Sequence, residues 1–231
     1  MNTREKSKIL EKYDNKVIRS LIQLIPFGMG SAVDTFLKET INQIREERLK
    51  TFFDELSTGK IELTEDVIRN SDFLHCYFST VKAVLNTNRY EKIKYFARLL
   101  NNTLDHSTIS NTDEYESYLK ILDDLSLHEI YILMILRKYE LKYPIGNEEI
   151  MRNRLRENNK IWQEFSEEVI DKFKIIKGEL NPILIRIERT GCFYYPRVQA
   201  NDTKPNSGMT TSLFHKLISI IETVTKIFVT S

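Results

Sequence analysis

Glycine and proline are scarce in this sequence, and their scarcity constrains the fold more than any single motif. The 231 residues include seven glycines and five prolines. Because these residue types end helices and form most tight turns, their low count predicts long helices joined by few corners. Hydrophobic residues make up 41% of the chain, which is enough to build a packed core. We therefore predict a mainly α-helical protein.

Apolar residues recur at three- and four-residue spacing through the first part of the chain, as in helices that bury one face. A first helix is predicted over 3–24, and a second between a cap at Ser31 and a stop at Gly59. Thr64 is predicted to cap a third helix, and a fourth follows it. Four such helices with short connections predict an N-terminal helical bundle over 1–104.

The stretch QLIPFGMGSA, residues 23–32, interrupts the helical pattern. Its proline and two glycines predict a sharp corner. A phosphate-binding loop would need a lysine and a preceding strand, and this stretch has neither. The apolar tip formed by Phe27 and Met29 leaves open a hydrophobic contact, either with a second copy of the chain or, as a hairpin over 23–37, with a membrane.

A polar stretch over 101–113 marks the predicted boundary to a second domain over 114–231. In that domain Ser126 and Glu129 have the spacing of a capping box. From Ser126 onward the predicted order is helix, helix, helix, strand, polar loop, strand, helix, with CFYYPRV and MTT as the strands. This is the element order of a winged-helix domain, so we predict a winged-helix-like domain with a small β-hairpin.

The segment 144–160 is an insert within that order. Pro144 precedes NEEIMRNRLREN, which predicts a short helix or an irregular connection. Arg152, Arg154 and Arg156 give the segment positive charge, which belongs either to a solvated face or to a contact with phosphate or an acidic partner.

Four phrases occur here in the order KYFARLLNNTL, LKILDDLSLHEIYILMIL, ILIRIERTGCFYY and MTTSLFHKLISII. Together they resemble the bacterial abortive-infection alpha (Abi-alpha) proteins and related small phage-resistance proteins, over residues 90–225. Ser212, Leu213 and Phe214 stand where that family often has a glycine. The resemblance implies a role in defence against phage, and it supplies no catalytic residues to carry over.

Besides the arginines of the insert over 144–160, a nucleic-acid contact would come from the third helix of the winged-helix order and from its hairpin. The whole chain has a net charge of +1, so only a local patch could attract phosphate. The charges on the third helix are of mixed sign, which favours a structural or protein-contacting helix over a DNA-reading one. The candidate nucleic-acid or partner-binding residues are Lys177, Asn181, Arg186, Arg189, Arg197 and Lys204.

The sequence discloses no reaction. His75 and Cys76 are adjacent, and neighbours on a helix point about 100° apart, so they do not form a catalytic pair. No spacing of His, Cys, Asp or Glu matches a metal site, and we predict no catalytic residue, metal or cofactor. Cys76 and Cys192 are predicted to be reduced, buried thiols of a cytoplasmic protein.

Three function hypotheses remain. We favour a non-enzymatic antiphage protein that acts by binding a macromolecule, with a protein partner or self-association expected. The alternative is a winged-helix DNA-binding transcriptional regulator. A second alternative is a membrane-acting toxin that uses the hairpin over 23–37, although the favoured hypothesis involves no membrane partner.

Overall fold

The computed structural model describes residues 13, 16–25, 35–59, 64–102, 111–142, 151–176, 178–195 and 208–222, with the backbone alone at 35–40, 65, 68 and 151–159. Most of these residues are helical, and they include one two-stranded sheet. The predicted mainly α class is therefore confirmed. The described residues fall into two compact units divided between Asp123 and Asp124, with 220–222 grouped in the first unit.

The described part of the first unit is helical. Its elements are α1 (Lys16–Leu24), α2 (Thr35–Ser57), α3 (Glu65–Arg69), α4 (Ser71–Asn86), α5 (Tyr90–Asn102) and α6 (Thr112–Asp124). Helix α2 packs against α4 and α5. Burying a large apolar side chain stabilises a fold by roughly 1.5–3 kcal/mol, so aromatic residues carry much of this core. The fully buried ones are Phe52, Phe53, Tyr77, Phe96 and Tyr115.

The predicted third helix is in fact two helices, α3 and α4. Asn70 leaves the helical conformation (φ −73°, ψ 125°), and its Oδ1 accepts hydrogen bonds from the amides of Asp72 (2.8 Å) and Phe73 (3.0 Å). The side chain of Thr64 makes no capping hydrogen bond. Thr64 does occupy the N-cap position of α3, as predicted, but the prediction of one continuous helix was wrong because the asparagine side chain offers the backbone a local partner that competes with helix continuation.

Helix α6 belongs to the first unit. Tyr115 is fully buried, and its hydroxyl hydrogen-bonds the hydroxyl of Thr80 on α4. Lys92 on α5 donates from Nζ to the carbonyl oxygen of Asp123 at 2.7 Å. The division of the structure therefore falls at the end of α6, whereas the sequence placed the boundary before that helix, in 101–113. The polar residues of 101–113 predicted a domain boundary at that segment. Helix α6 nevertheless belongs to the first unit, because its buried face packs there through residues such as Tyr115.

The second unit begins with a capping box that the sequence predicted. Its elements are α7 (Leu127–Lys142), α8 (Met151–Phe173), α9 (Leu180–Glu188), β1 (Phe193–Tyr194), β2 (Met209–Thr210) and α10 (Ser212–Ile221), whose last two residues group with the first unit. The Ser126 amide donates to Glu129 Oε2 at 2.7 Å, and the Glu129 amide donates to Ser126 Oγ at 3.2 Å. The reciprocal pair confirms the predicted start of α7.

Helix α8 is longer than the sequence suggested. Residues 151–160, predicted as part of a short helix or irregular insert, are continuous with the helix that follows and form its first turns. Between Gly146 and Gly178 the chain contains no glycine or proline, so nothing in its backbone chemistry interrupts the helix. The polar composition of the segment was mistaken for a helix break.

The predicted hairpin is present and short. Phe193 pairs with Thr210 and Tyr194 with Met209 in antiparallel register. Gly191, with φ +76°, lies three residues after the end of α9 and adopts the left-handed conformation common after helix ends. The order of elements from Ser126 onward is therefore confirmed.

Candidate functional site

Two of the predicted DNA-contacting residues are engaged inside the second unit. Arg186 donates from Nε to Glu129 Oε1 at 2.6 Å, and Glu129 is only 2% exposed. Tyr195 donates its hydroxyl hydrogen to Asn181 Oδ1 at 2.8 Å. An asparagine reads adenine with its acceptor and its donor together, and an arginine contacts phosphate with an uncompensated charge. Here Asn181 Oδ1 already accepts one hydrogen bond, and Glu129 offsets the charge of Arg186, whose side chain remains 63% exposed.

The other predicted site residues divide into three groups. Arg189 is exposed just after α9. Arg152, Arg154 and Arg156 lie on α8, where the backbone alone is described. The remaining residues lie outside the described ranges: Lys177, Arg197, Lys204, Phe27 and Met29.

Aromatic side chains from α8 and from the end of β1 meet the exposed side of α9. The rings of Trp162 and Tyr195 are in edge contact, with centroids 6.4 Å apart and planes at 64°, and both side chains are half-buried. Ile185 is 43% exposed and lies one helical turn after Asn181. Glu188 is exposed on the next turn. We call this set the aromatic surface: Trp162, Asn181, Ile185, Glu188 and Tyr195.

A buried aromatic layer holds these rings in place. Phe193 is buried, and its ring centroid is 4.9 Å from that of Tyr195 and 6.4 Å from that of Trp162. Phe165, also buried, packs at 5.0 Å from Trp162. Rings fixed in this way lose little conformational entropy when a partner covers them. The aromatic surface is therefore preorganised for contact.

Exposed side chains of both signs stand at the end of α9, Glu188 as its last residue and Arg189 directly after it. Burial raises the pKa of Tyr195, and the nearby carboxylate of Glu188 raises it further. The phenol therefore remains a neutral hydrogen-bond donor at neutral pH. Arg189 keeps a helical backbone conformation and follows Ile185 by one helical turn, so a positive charge also flanks the surface.

This surface is not evident from the sequence. Trp162 has the helical spacing of the buried Phe165 and Val169, and CFYY lies within a predicted strand. Trp162 and Tyr195 both contact the core, yet both remain half-exposed at its edge. Helical periodicity predicts the side that faces inward, but it does not predict where the neighbouring elements stop covering it. The single tryptophan and the aromatic run were the available signal.

A threonine and a histidine also meet in the second unit, at the base of the hairpin. Thr210 Oγ1 lies 2.7 Å from His215 Nε2 and hydrogen-bonds Glu140 Oε2, while the Thr210 amide donates to Glu140 Oε1 at 2.7 Å. A nucleophile must reach its substrate, but Thr210 is 6% exposed and its hydroxyl is held by the carboxylate. The arrangement fastens β2 to α7 and is not a catalytic dyad.

His75 and Cys76 are separated as predicted. His75 Nε2 lies 2.5 Å from Glu116 Oε1 at the surface, whereas Cys76 is buried. Burial, with the carboxylates of Glu116 and Asp72, raises the pKa of the Cys76 thiol to about 11. An activated cysteine requires a lowered pKa, so Cys76 is a core residue.

The described ranges contain no group of three His, Cys, Asp or Glu side chains close enough to hold a metal ion. None of the helices in those ranges has the length and apolar character needed to cross a bilayer. The chain matches no protein-family model, no curated protein and no solved structure. The functional conclusion therefore depends on the geometry of the aromatic surface.

Proposed function

We propose that this chain is a non-enzymatic antiphage protein of the abortive-infection type, which acts by binding a protein partner through the aromatic surface. The observation that carries the proposal is the edge contact of half-buried Trp162 and Tyr195, with Tyr195 bonded to Asn181 one helical turn before exposed Ile185. Tryptophan and tyrosine are enriched among the residues that dominate protein–protein affinity. The antiphage role itself comes from the resemblance to the Abi-alpha proteins.

The second unit, on this proposal, is a winged-helix-like domain whose third helix serves protein contact. The order α7, α8, α9, β1, β2 supports this assignment, as does the antiparallel pairing of the two strands. Helix α9 occupies the position of a recognition helix. Its exposed residues include Ile185 and Glu188 as well as Arg186, and Arg186 is paired with Glu129.

A DNA-binding regulator is the second candidate, favoured by the same element order. The engagement of Arg186 by Glu129 and of Asn181 by Tyr195 weighs against it. Duplex DNA added to the full chain at low salt tests this candidate by gel shift. A DNA reader would bind with an affinity that falls steeply as salt is added. The protein-binding proposal predicts no such shift.

A phage challenge with the full chain tests the proposed function. Cells expressing the protein should plaque less efficiently than cells without it. Ile185→Asp places a charge in the aromatic surface and should abolish protection. Ile176→Asp is the matched control, because Ile176 is 68% exposed and lies outside that surface. Circular dichroism should show both variants folded.

Two results would contradict the proposal. The first is equal plaquing with and without the protein, which removes the antiphage role. The second is full protection by Ile185→Asp, which removes the aromatic surface as the point of contact. Loss of protection in both variants would also count against it, since the effect would not be specific to the surface.

A further inference from the structure

Helix α9 has opposite charges at its two ends. Glu179 precedes the helix and Arg189 follows it, and both keep helical backbone angles (φ −82°, ψ −16° for Glu179; φ −63°, ψ −23° for Arg189). Both side chains are exposed, and neither has a hydrogen-bond or ion-pair partner among the described residues. The rise of a helix places the two residues about 15 Å apart along its axis. A negative charge and a positive charge are therefore both available to a partner that covers α9.

Between these charges α9 exposes an apolar side chain. Ile185 is 43% exposed and lies one helical turn after Asn181 and one turn before Arg189, so the three residues form a single row. Tyr195 joins this row through its hydrogen bond to Asn181, and Trp162 contacts Tyr195. A partner that covers Ile185 therefore also meets the edge of the aromatic surface.

We propose that the protein bound at the aromatic surface is a second copy of this chain, docked with α9 antiparallel to its counterpart. This inference rests on the proposed function and identifies the partner. In an antiparallel pair Glu179 of one copy faces Arg189 of the other, and a two-fold axis repeats the ion pair at the opposite end. The centre of the span from 179 to 189 is residue 184, so the two Ile185 side chains meet beside the axis.

Charges of both signs favour a second copy over an acidic or a basic partner. An acidic segment lying along α9 would approach Glu179 and a basic segment would approach Arg189, and each like-charge approach weakens binding. Two copies docked in parallel would bring like charges together at both ends. The antiparallel arrangement brings each charge to its opposite. The charge of Arg186 is offset within its own copy by Glu129.

The polar groups of the surface fit the same arrangement. Tyr195 directs its hydroxyl hydrogen to Asn181 Oδ1, so the Asn181 amide keeps its two N–H donors. Glu188 follows Asn181 by two helical turns and is exposed on the same side of α9. The two-fold axis sets Glu188 of one copy beside Asn181 of the other, where the carboxylate can accept hydrogen bonds from that amide. The surface is thus complementary to itself in charge and in hydrogen bonding.

Sedimentation of the full chain measures the proposed self-association. The unaltered chain should form dimers at micromolar concentrations. Glu179→Arg places arginines opposite each other at both ends and should weaken the dimer about tenfold or more, and Arg189→Glu should do the same by opposing glutamates. Mixed in equal amounts, the two variants should associate as tightly as the unaltered chain, because each arginine then meets a glutamate again.

Glu167→Arg is the matched control, because Glu167 is an exposed glutamate of α8 outside the aromatic surface. It should leave the dissociation constant of the dimer unchanged. If Glu179 and Arg189 only complement the dipole of their own helix, mixing the two variants restores nothing, and the inference is overturned. A monomeric unaltered chain, or a dimer that neither charge reversal weakens, would overturn it as well.

The phage challenge separates failure of this inference from failure of the proposed function. Protection that each reversal variant loses alone and that both restore when expressed together supports the inference. Protection lost by Ile185→Asp but kept by Glu179→Arg and by Arg189→Glu overturns the inference and leaves the proposed function standing, with a different protein as the partner. Full protection by Ile185→Asp overturns the proposed function and, with it, the role assigned to the dimer.

Discussion

At the scale of single residues, buried polar side chains form the hydrogen bonds that connect one helix or strand to another. No buried side-chain nitrogen or oxygen in the described residues lacks a hydrogen-bond partner. Glu129 illustrates the rule, since one carboxylate caps α7 through the Ser126 amide and pairs with Arg186 on α9. An unpaired carboxylate at that depth would be costly, so its partners are fixed together with it. The pairing also occupies the Nε donor of Arg186.

Gly208 should tolerate no side chain. A β-carbon at this position would overlap the ring of Phe193, which is itself buried under the aromatic surface. We expect Gly208→Ala to lower the free energy of unfolding by about 1–3 kcal/mol, the usual cost of overpacking a core. Urea denaturation followed by circular dichroism measures the change.

The control for that substitution is a double-mutant cycle with Phe193→Leu. Leucine lacks the ring atoms that a β-carbon at Gly208 would strike, so the double variant should lose less stability than the sum of the two single variants. An unfolding midpoint for Gly208→Ala equal to that of the unaltered chain would show that the hairpin moves freely at this point.

At the scale of elements, the sequence predicted those features of helices and strands that are set by residues close together along the chain. The capping box of α7 and the two strands were identified from local patterns. The break at Asn70 and the full length of α8 were not. In both cases polar residues were assigned to the wrong role, because an asparagine or a run of arginines is compatible with a helix, a cap or a loop. The edge at which Trp162 and Tyr195 remain exposed depends on packing between distant segments, which no local pattern encodes.

The break between α3 and α4 depends on the Asn70 side chain. Asn70→Ala removes the acceptor for the amides of Asp72 and Phe73. We expect it to lower the free energy of unfolding by about 1 kcal/mol, as loss of an N-cap does. Asn70→Asp keeps an acceptor in place and should cost much less. Equal destabilisation by the two variants in urea titrations would contradict a capping role.

Glu168 should link the pairing of α7 and α8 to pH. Burial alone would raise its pKa, but hydrogen bonds from Lys138 (3.0 Å) and Tyr139 (2.8 Å), with the charge of Lys138 and Lys172, set the pKa below its ordinary 4.5. A carboxylate whose folded pKa is lowered stabilises the fold above its unfolded pKa and loses that contribution as pH falls through the folded value.

We therefore expect Glu168→Gln to cost about 1 kcal/mol near pH 7 and progressively less between about pH 5 and pH 3. Urea unfolding of both proteins across this range gives the difference. Glu167→Gln is the control, because the neighbouring glutamate hydrogen-bonds an exposed glutamine, Gln163, rather than a cation. A Glu168→Gln difference that stays constant with pH would mean that the charge does not contribute.

At the scale of the whole molecule, each compact unit contains one of the two cysteines of the sequence. Cys76 lies in the first unit and Cys192 in the second, and both thiols are free and buried. Burial raises the pKa of each thiol. The hydrogen bond with Thr190 lowers the pKa of Cys192, but by less than burial raises it. The two thiols can therefore report separately on the two units.

Thiol labelling of a Cys192→Ala variant should measure opening of the first unit. Raising the pKa of Cys76 from its ordinary 9.0 to about 11 lowers the thiolate fraction at pH 8 by about 100-fold, and the thiolate is the reactive form. Labelling by an aromatic disulfide should therefore be at least about 100-fold slower than that of the same variant in denaturing urea. Because exclusion of the reagent adds to the effect of the pKa, the native rate should follow the free energy of opening as urea is raised. A native rate near that of the denatured chain would show that the core around Cys76 is open, and the packing of α4 against α6 described here would then be wrong.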